Sequence, residues 1–344
     1  MRKICRIAVI LISCFGMLLL LHGCNRQQKE QRATAYADPD SGINPQQTPV
    51  ETEPVEIGMS QTGSESEQSQ SQSYIFLFFS DMQADPDVGE YSGLGELAAQ
   101  ALMNREAPDL VIIGGDSVND GGDEEEWRLF HDATGEWFGE STTASVAGNH
   151  DSYALLAEQF DYPSEAPARP GKGYFYTLSV DPVYLIMLDS TIMGAANESD
   201  IKWLQDVLES DAARRADWII AVTHHPIWPV TDNPKDEQRA ETMRDHFLPL
   251  LEEFGVALIL CGHQHVYSRT LPMSGNEAAA NGRGIVQVMA ASGDKPTYVL
   301  GDRSYIAAYA PAQNFVVLSA DSESLVITAY DEEGNIIDEF TIIR

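Results

Sequence analysis

From Tyr74 onward, short apolar runs alternate regularly with segments whose apolar residues recur at helical spacing. The apolar runs are four to eight residues long and rich in Val, Ile and aromatic residues, which indicates buried strands. The helical segments include "LGELAAQALMNREA", "DEEEWRLFHDAT", "DSYALLAEQF", "SDIKWLQDVLES" and a long "DEQRAETMRDHFLPLLEEF". Strands that alternate with helices of this length are typical of an α/β fold.

The pattern changes after Arg269. The runs "GIVQVMAAS", "NFVVLSA", "SLVITAY" and "IIDEFTII" read as strands separated by turn residues, with few helices between them. We therefore expect a second sheet built largely from hairpins. The predicted architecture is α/β, with two β-sheets packed face to face and flanked by helices in a single domain over residues 74–344.

The N-terminal residues are typical of an export signal. Three basic residues precede an apolar run that ends at Gly23-Cys24, and the run is shorter than the ~20 residues of a membrane-spanning helix. The segment resembles a bacterial lipoprotein signal peptide (1–23), which implies a lipid on Cys24; an uncleaved membrane anchor is the alternative. Both interpretations place the body outside the cytoplasmic membrane. Residues 24–73 then form a polar, disordered tether.

The chain is strongly acidic, with 53 Asp and Glu against 21 Lys and Arg, a formal charge of −32. Non-specific binding to nucleic acid needs a basic surface, so we expect no nucleic-acid partner. Once the signal is removed and Cys24 carries lipid, only Cys261 is left, and no intramolecular disulfide is expected.

Side chains able to bind metal follow five of the predicted strands: Asp81, Asp116, Asn149 with His150, His224, and the pair His263 and His265. Each has an ordinary structural explanation, such as a helix cap, a turn or a packed loop. Their joint occurrence favours a common site, because ligand sites in α/β sheets lie beyond the carboxyl ends of the strands. Residues i and i+2 of an extended segment face one side, which suits the final histidine pair.

Four motifs, together with the Asp of "FFSDMQ", resemble those of the calcineurin-like metallophosphoesterases, and most closely the purple acid phosphatase branch. They are "GDSVNDGG" (115–122), "GNHD" (148–151), "THHP" (223–226) and "GHQH" (262–265). The resemblance implies a four-layer αββα sandwich with two mixed sheets. It also implies two metal ions, Mn, Zn or Fe, that clamp a small phosphate ester and activate a water to attack phosphorus.

The resemblance also assigns the ligands: Asp116 between the two ions, Asp81 and His265 at the first, and Asn149, His224 and His263 at the second. His150 would assist the leaving group by protonating the alkoxide or by holding the phosphoryl group. The partner that orients His150 is open, with Asp120 and Asp151 as candidates. His225 is expected to support its loop or to contact phosphate directly. Tyr267 and Arg269 either line the mouth of the pocket or serve as a packed tyrosine and an ion pair.

Two positions depart from the family pattern. Gln83 stands where the family usually has a ligating histidine, and Asn119 where the purple branch has a tyrosine. Either amide is a weak substitute ligand, and water is the alternative. The first metal site is therefore predicted to bind more loosely than the second, without a tyrosinate–iron colour.

Three functions are consistent with this sequence. The leading hypothesis is a cell-surface phosphomonoesterase similar to the acid phosphatases. The first alternative is a phosphodiesterase acting on cell-envelope or lipid substrates. The second is a metal-containing binding lipoprotein without catalysis, which the substitutions at Gln83 and Asn119 favour and His150 disfavours.

Overall fold

The computed structural model describes residues 73–91, 93–102, 108–135, 141–160, 175–193 and 197–344. The predicted signal peptide, Cys24 and the tether up to residue 72 lie outside the described residues. Within the described part of the chain, no helix is both long enough and apolar enough to cross a membrane.

The described residues form fifteen strands. In chain order they are β1 (Tyr74–Phe79), β2 (Leu110–Ile113), β3 (Thr143–Ser145), β4 (Tyr176–Val180), β5 (Val183–Leu188), β6 (Trp218–Thr223), β7 (Leu258–Cys261), β8 (Tyr267–Thr270), β9 (Met273–Ser274), β10 (Glu277–Ala278), β11 (Val286–Met289), β12 (Ile306–Ala310), β13 (Asn314–Ala320), β14 (Ser324–Asp331) and β15 (Ile336–Ile343).

The helices of the described residues are α1 (Leu94–Leu102), α2 (Glu124–Thr134), α3 (Tyr153–Gln159), α4 (Ser190–Met193), α5 (Glu198–Leu208), α6 (Asp211–Arg215), α7 (Pro234–His246) and α8 (Leu248–Glu253). Side-chain oxygens cap several of their N-termini; Asn233, for example, accepts from the backbone N–H of Lys235 at the start of α7, where Pro234 follows the cap.

The strands form two large mixed sheets. The first has the order β15-β14-β13-β1-β2-β3, with β1, β2 and β3 parallel, and the second has the order β12-β8-β11-β7-β6-β5-β4, with β5, β6, β7 and β11 parallel. Antiparallel strands complete both sheets. A short β9–β10 hairpin stands apart from both.

Three large apolar clusters and a small one around Cys261 and Met289 form the core of the described residues. One cluster contains residues of both sheets, such as Phe76 and Val316 of the first and Leu185 and Leu260 of the second, so the sheets pack face to face. Two further clusters cover the outer faces, where side chains of α1 and α2 pack on the first sheet and those of α5 and α7 on the second. The predicted four-layer αββα architecture is confirmed.

Two local expectations were wrong. The strands after Arg269 do not form a separate hairpin sheet: β13, β14 and β15 extend the first sheet beside β1, while β11 and β12 join the second. The long helix over 236–254 is divided at Phe247, where α7 ends and α8 begins. Pro249 has no N–H and its ring clashes with the carbonyl of the preceding turn, so a helix cannot run through it unbroken.

Candidate metal centre

The five strands predicted to carry ligands end at one edge of the sandwich, where the two sheets are joined by hydrogen bonds. The Nδ1 atom of His224, after β6, lies 2.8 Å from the carbonyl oxygen of Gly114, after β2. The backbone N–H of His263, after β7, donates to Oδ2 of Asp81, after β1, at 2.7 Å. Side chains from both sheets therefore meet at this edge.

The backbone is strained at this edge. Among the described non-glycine residues, a positive φ occurs only at Asp81 (50°), Asp116 (54°), His263 (75°) and His265 (46°). Such conformations cost on the order of 1–3 kcal/mol each and persist where the surroundings over-determine them, commonly at functional sites. All four are residues that the sequence marks as candidate ligands.

The second predicted metal site brings three acceptor atoms together. A hydrogen bond from Nδ1–H of His224 to Gly114 leaves the lone pair of Nε2 directed into the site. This Nε2 lies 3.3 Å from Oδ2 of Asp116 and 3.2 Å from Oδ1 of Asn149. Three acceptors at these distances repel one another unless a proton or a metal cation lies between them.

The first predicted site shows the same arrangement. Nε2 of His265 lies 3.4 Å from Oδ1 of Asp81, a buried oxygen that receives no hydrogen bond. Nδ1 of His265 faces the carbonyl oxygen of Pro296 at 3.3 Å, which again leaves Nε2 as the free nitrogen. Burial, together with nearby Lys295, lowers the pKa of His265 to about 4 despite the opposing charge of Asp81, so the imidazole is neutral and able to coordinate at pH 7.

His263 completes the second set of ligands. Its Nε2 lies 3.0 Å from Oδ1 of Asp236 in the first turn of α7, so Nε2–H donates to this carboxylate and Nδ1 is the nitrogen left to coordinate. A histidine held by a carboxylate in this way has a fixed tautomer and ring orientation. His263, His224 and His225 each offer a nitrogen within 4.8 Å of the other two.

His225 is buried and held by Ser190, whose Oγ lies 3.0 Å from its Nδ1 and accepts from its backbone N–H at 2.8 Å. Its ring packs against that of His263 with centroids 4.3 Å apart. Burial, with the neighbouring His224 and His263, holds the pKa of His225 well below its usual value. These contacts correspond to the first of the two expectations for His225, support of the loop.

These donors fit a pair of metal ions. Asp81, Asp116 and His224 each offer an atom within 4.8 Å of the others, which places Asp116 between the two predicted ligand sets. Ligands bound at about 2.0–2.2 Å lie about 3.0–3.5 Å apart around one ion, and the 3.2–3.4 Å separations agree with this. Carboxylate, imidazole and amide donors together suit Zn, Mn or Fe.

The charge balance of the metal-free site depends on His224. Burial lowers its pKa, but the charges of Asp116 and Asp81 and the hydrogen bond with Asp116 outweigh this effect and raise the pKa to about 10. Conversely, His224 and His150 lower the pKa of Asp116 although the carboxyl is buried. A proton on His224 thus supplies positive charge that a metal ion would supply when bound.

The proton on His224 should make the stability of the metal-free protein depend on pH. In chelator-treated protein, the free energy of unfolding should fall between pH 7 and pH 9, by at most about 1.4 kcal/mol per pH unit. The folded state keeps the proton up to about pH 10 whereas the unfolded state loses it near 6.5, so the stabilisation is full below 6.5 and is lost as the pH rises through about 10. Urea denaturation at each pH measures it. Saturating Zn²⁺ or Mn²⁺ should remove the trend, and a flat profile without metal would contradict it.

The two weak substitute ligands have different surroundings. Gln83 is fully buried, and neither its amide oxygen nor its nitrogen has a hydrogen-bond partner. The amide nitrogen of Asn119 donates to the carbonyl oxygen of Ala84 at 3.2 Å. An unsatisfied buried amide costs about 1–3 kcal/mol. A bound cation would therefore stabilise the side chain of Gln83 more than that of Asn119.

We predict that Gln83→His tightens the weaker metal site on the order of tenfold, about 1.4 kcal/mol, because imidazole is a stronger ligand than an amide. Metal titration with calorimetric detection measures it, and the unaltered protein should show two unequal sites and no purple colour. Asn119→His is the matched control and should bring no gain. Two equally tight sites in the unaltered protein would contradict the prediction.

The structure gives His150 a different partner from the two candidates. Its Nδ1 lies 2.6 Å from the carbonyl oxygen of Asn119. The carboxylate of Asp151 instead accepts backbone N–H groups of Asp116 and Gly148, both at 2.8 Å, and so fixes the two loops that carry ligands. Burial and the charge of Asp116 raise the pKa of Asp151 to about 6. Asp120 accepts from Gly122. The expected roles of Asp151 and Asp120 as partners of His150 were wrong.

Tyr267 and Arg269 form a packed tyrosine and an ion pair, which is the second of the two expected alternatives. The Tyr267 hydroxyl donates to Asp338 on β15 at 2.7 Å, and the Arg269 guanidinium donates to both oxygens of the same carboxylate. Arg269 also lies over the ring of Phe340. These groups join β8 of the second sheet to β15 of the first, which corrects their assignment to substrate binding.

Three residues of the site carry no signal in the sequence. Lys295 places its Nζ 3.3 Å from Nε2 of His150, and the Tyr298 ring stacks on that of His265 with centroids 4.8 Å apart. In the sequence, Asp236, which holds His263, is only an acidic residue in the first turn of a helix. All three approach their partners only through the tertiary fold, so nearby sequence could not indicate them.

Gly262 is required by close approach between the sheets. A Cβ atom at this position would lie 1.9 Å from Oγ of Ser80 and 2.0 Å from Oδ2 of Asp81. We predict that Gly262→Ala lowers the free energy of unfolding by about 2–3 kcal/mol through steric overlap and weakens metal binding. Gly282→Ala is the control: its φ is +67° but its Cβ would meet no atom within 4 Å, so about 1 kcal/mol of backbone strain is expected. Equal losses in urea denaturation would contradict the overlap.

The four-layer sandwich with mixed carboxylate, imidazole and amide donors at its strand ends defines a metallophosphoesterase fold and site. The family model of the calcineurin-like phosphoesterases matches residues 74–267, more than half of the chain, and the chain belongs to this family. The predicted family is confirmed.

Curated relatives match parts of the chain. A probable glycerophosphodiester phosphodiesterase GpdQ of Arcobacter nitrofigilis is 29% identical over 170 residues, which cover 48% of this chain and 59% of that protein. Tartrate-resistant acid phosphatase type 5 of Rattus norvegicus is 25% identical over 220 residues, with 52% and 65% covered. An uncharacterized protein of Mycobacterium tuberculosis is 26% identical over 203 residues, with 50% and 37% covered. The matches thus span from about a third to two thirds of these relatives.

Solved structures show the same fold. The purple acid phosphatase PPD1 from yellow lupin has a TM-score of 0.68 at 18% identity, covering 80% of this chain and 54% of that chain. GAP50, the anchor in the inner membrane complex of Plasmodium, has a TM-score of 0.61 at 18% identity, covering 79% and 89%.

Proposed function

We propose that this protein hydrolyses phosphoric esters at a centre of two metal ions, with phosphomonoesters as preferred substrates. The observation that carries the proposal is the convergence of Asp81, Asp116 and His224 within 4.8 Å of one another, beside a histidine that is not needed as a ligand. A purely structural metal site has no use for this histidine, His150, on the adjoining loop.

The residues that would hold the metal ions are Asp116 between both, Asp81, His265 and Gln83 at the first, and Asn149, His224 and His263 at the second. When bound, such ions neutralise phosphoryl oxygens and lower the pKa of a coordinated water. The chain itself fixes the geometry, since Asp151, Asp236 and the carbonyls of Gly114 and Pro296 hold the ligands or their loops in place.

His150 is oriented for proton transfer. Its Nδ1–H donates to the carbonyl oxygen of Asn119, which leaves Nε2 as the atom that would carry a proton to the leaving oxygen. Its backbone N–H donates to Oδ1 of Asp116 at 2.7 Å, so the main chain that carries the imidazole is held to the residue between the two ligand sets.

Phosphodiester hydrolysis is the second candidate. It is supported by the likeness to proteins described as glycerophosphodiester phosphodiesterases, from Arcobacter nitrofigilis and from Enterobacter lignolyticus, the latter 27% identical over 184 residues. The same ligands serve either reaction, so the distinction depends on the groups that surround the phosphoryl oxygens.

The test uses purified protein stripped of metal and reconstituted with Zn²⁺, Mn²⁺ or Fe. We expect hydrolysis of 4-nitrophenyl phosphate in at least one metal form, with a higher kcat/KM than for bis(4-nitrophenyl) phosphate, and none after chelation. Preference for the diester would favour the second candidate. Bound metal without turnover of either ester would favour the non-catalytic alternative.

We also propose that the protein is a lipoprotein, anchored through Cys24 outside the cytoplasmic membrane. The signal-like N-terminus and the polar tether support this location. Expression of the full chain should place it in the membrane fraction with a lipid on Cys24 by mass spectrometry. Cys24→Ala should lose that mass, and an unmodified cysteine in the membrane fraction would favour the uncleaved anchor.

A further inference from the structure

The loop that follows β11 forms part of the rim of the metal centre. We call residues 292–300 the rim loop. Three backbone hydrogen bonds, each 2.8 Å, join it to the segment after β1: from Ser292 to Ser80, from Gly293 to Asp81 and from Asp294 to Gln83. The next residue, Lys295, is therefore held beside the candidate ligands by the backbone and not by its own side chain.

The ammonium group of Lys295 is directed at His150. Its Nζ lies 3.3 Å from Nε2 of the imidazole, the same atom that the proposed mechanism uses. Because Nδ1–H of His150 already donates to Asn119, Nε2 accepts from Lys295 while the imidazole is neutral, and this contact is released when Nε2 carries the proton. An ammonium has three donors, and only one is used by this contact.

Lys295 has no carboxylate partner in the described part of the chain, although the protein is rich in acids. Lys202, by contrast, lies 2.6 Å from Asp206. Lys295 is half-buried and forms no ion pair there within 4.0 Å, while Asp116 and Asp81 act on it only at longer range. A half-buried cation with two unused donors beside a catalytic histidine has the properties of an anion-binding group.

We propose that Lys295 binds a non-bridging phosphoryl oxygen of the substrate and thereby favours monoesters over diesters. A phosphomonoester carries close to two negative charges at pH 7, and a diester carries one. A diester also replaces one of the charged oxygens with an ester group. One fixed ammonium therefore stabilises the monoester more. This inference rests on the proposed hydrolytic function and assigns the residue that sets its substrate class.

The variants are Lys295→Met, which keeps the length of the stem and removes the charge, and Lys295→Arg, which keeps the charge. Lys202→Met is the surface control. Each is reconstituted with metal, its metal content is measured, and kcat/KM is determined for 4-nitrophenyl phosphate and bis(4-nitrophenyl) phosphate. Binding of inorganic phosphate is measured separately, by calorimetry on the metal-loaded protein.

For Lys295→Met we expect a loss of about 10- to 100-fold in kcat/KM for the monoester and of less than about 3-fold for the diester, at unchanged metal content. Phosphate affinity should fall on the order of tenfold. Lys295→Arg should recover most of both losses, and Lys202→Met should match the unaltered protein. Equal losses for the two esters, or unchanged phosphate affinity, would overturn the inference.

The two proposals fail in different ways. If the unaltered protein hydrolyses neither ester in any metal form, the proposed function is wrong, and the phosphate affinities of the unaltered protein and Lys295→Met still decide whether Lys295 binds phosphate. If the unaltered protein hydrolyses the monoester but Lys295→Met behaves identically, hydrolysis stands and the assignment of Lys295 is wrong.

Discussion

In the Asp116→Asn variant we expect hydrolysis of 4-nitrophenyl phosphate to fall by about 10³-fold or more, with loss of at least one metal ion. Asp116 places one oxygen 3.3 Å from His224 while the other accepts the backbone N–H of His150. A neutral amide retains the shape and the acceptor but removes the charge between two cations, and metal-derived charge stabilisation accounts for several kcal/mol of the barrier.

Elemental analysis and kcat/KM together check this prediction. Asp120→Asn is the matched control, since this exposed carboxylate lies on the same loop and accepts only from Gly122 among its described contacts. The kcat/KM of Asp120→Asn should stay within about twofold of the value for the unaltered protein, because surface substitutions usually have small effects. Full metal content with unchanged turnover in Asp116→Asn would remove the basis for a shared metal centre.

The second large effect concerns His150. In His150→Ala we expect kcat to fall by about 10²- to 10⁴-fold, the usual contribution of a general acid. Metal content should be unchanged, because the ring nitrogens of His150 contact the backbone carbonyl oxygen of Asn119 and the ammonium of Lys295, neither of which is a proposed ligand atom. The loss should be greater for alkyl phosphates than for 4-nitrophenyl phosphate, since a poor leaving group needs the proton more.

His131→Ala is the control for this variant. His131 is exposed on α2, where its Nε2 contacts Gln159, and its removal should leave turnover unaltered. A loss in His150→Ala that is identical for alkyl and aryl substrates would show that the imidazole does not protonate the leaving oxygen.

The positions of the ligands could be predicted from the chain because they depend on local pattern and direction. Asp81, Asp116, His224 and the pair at 263 and 265 each follow an apolar strand, and the parallel strands of a sheet end at one edge. The helix break at Phe247 also has a local cause, Pro249, although the continuous apolar pattern concealed it.

The partners of these residues could not be predicted in this way. Asp151 is adjacent to His150 in the chain, yet it caps the backbone of Asp116 and Gly148, and a carbonyl 31 residues away orients the histidine. Arg269 follows the GHQH motif closely but pairs with Asp338 on the last strand. Adjacency in sequence does not set side-chain contact once neighbouring loops turn in different directions.

The sequence by itself determined the alternation of the main strands and helices, the family and the residues able to bind metal, because strand periodicity and chemical type are properties of short segments. Only the tertiary structure decided how the C-terminal strands divide between the two sheets and which groups fix the histidine tautomers. It also placed Lys295, 145 residues further along the chain, against His150. Those features depend on contacts between segments that are distant in the chain, and such contacts are fixed when the two sheets pack and bring their strand ends together.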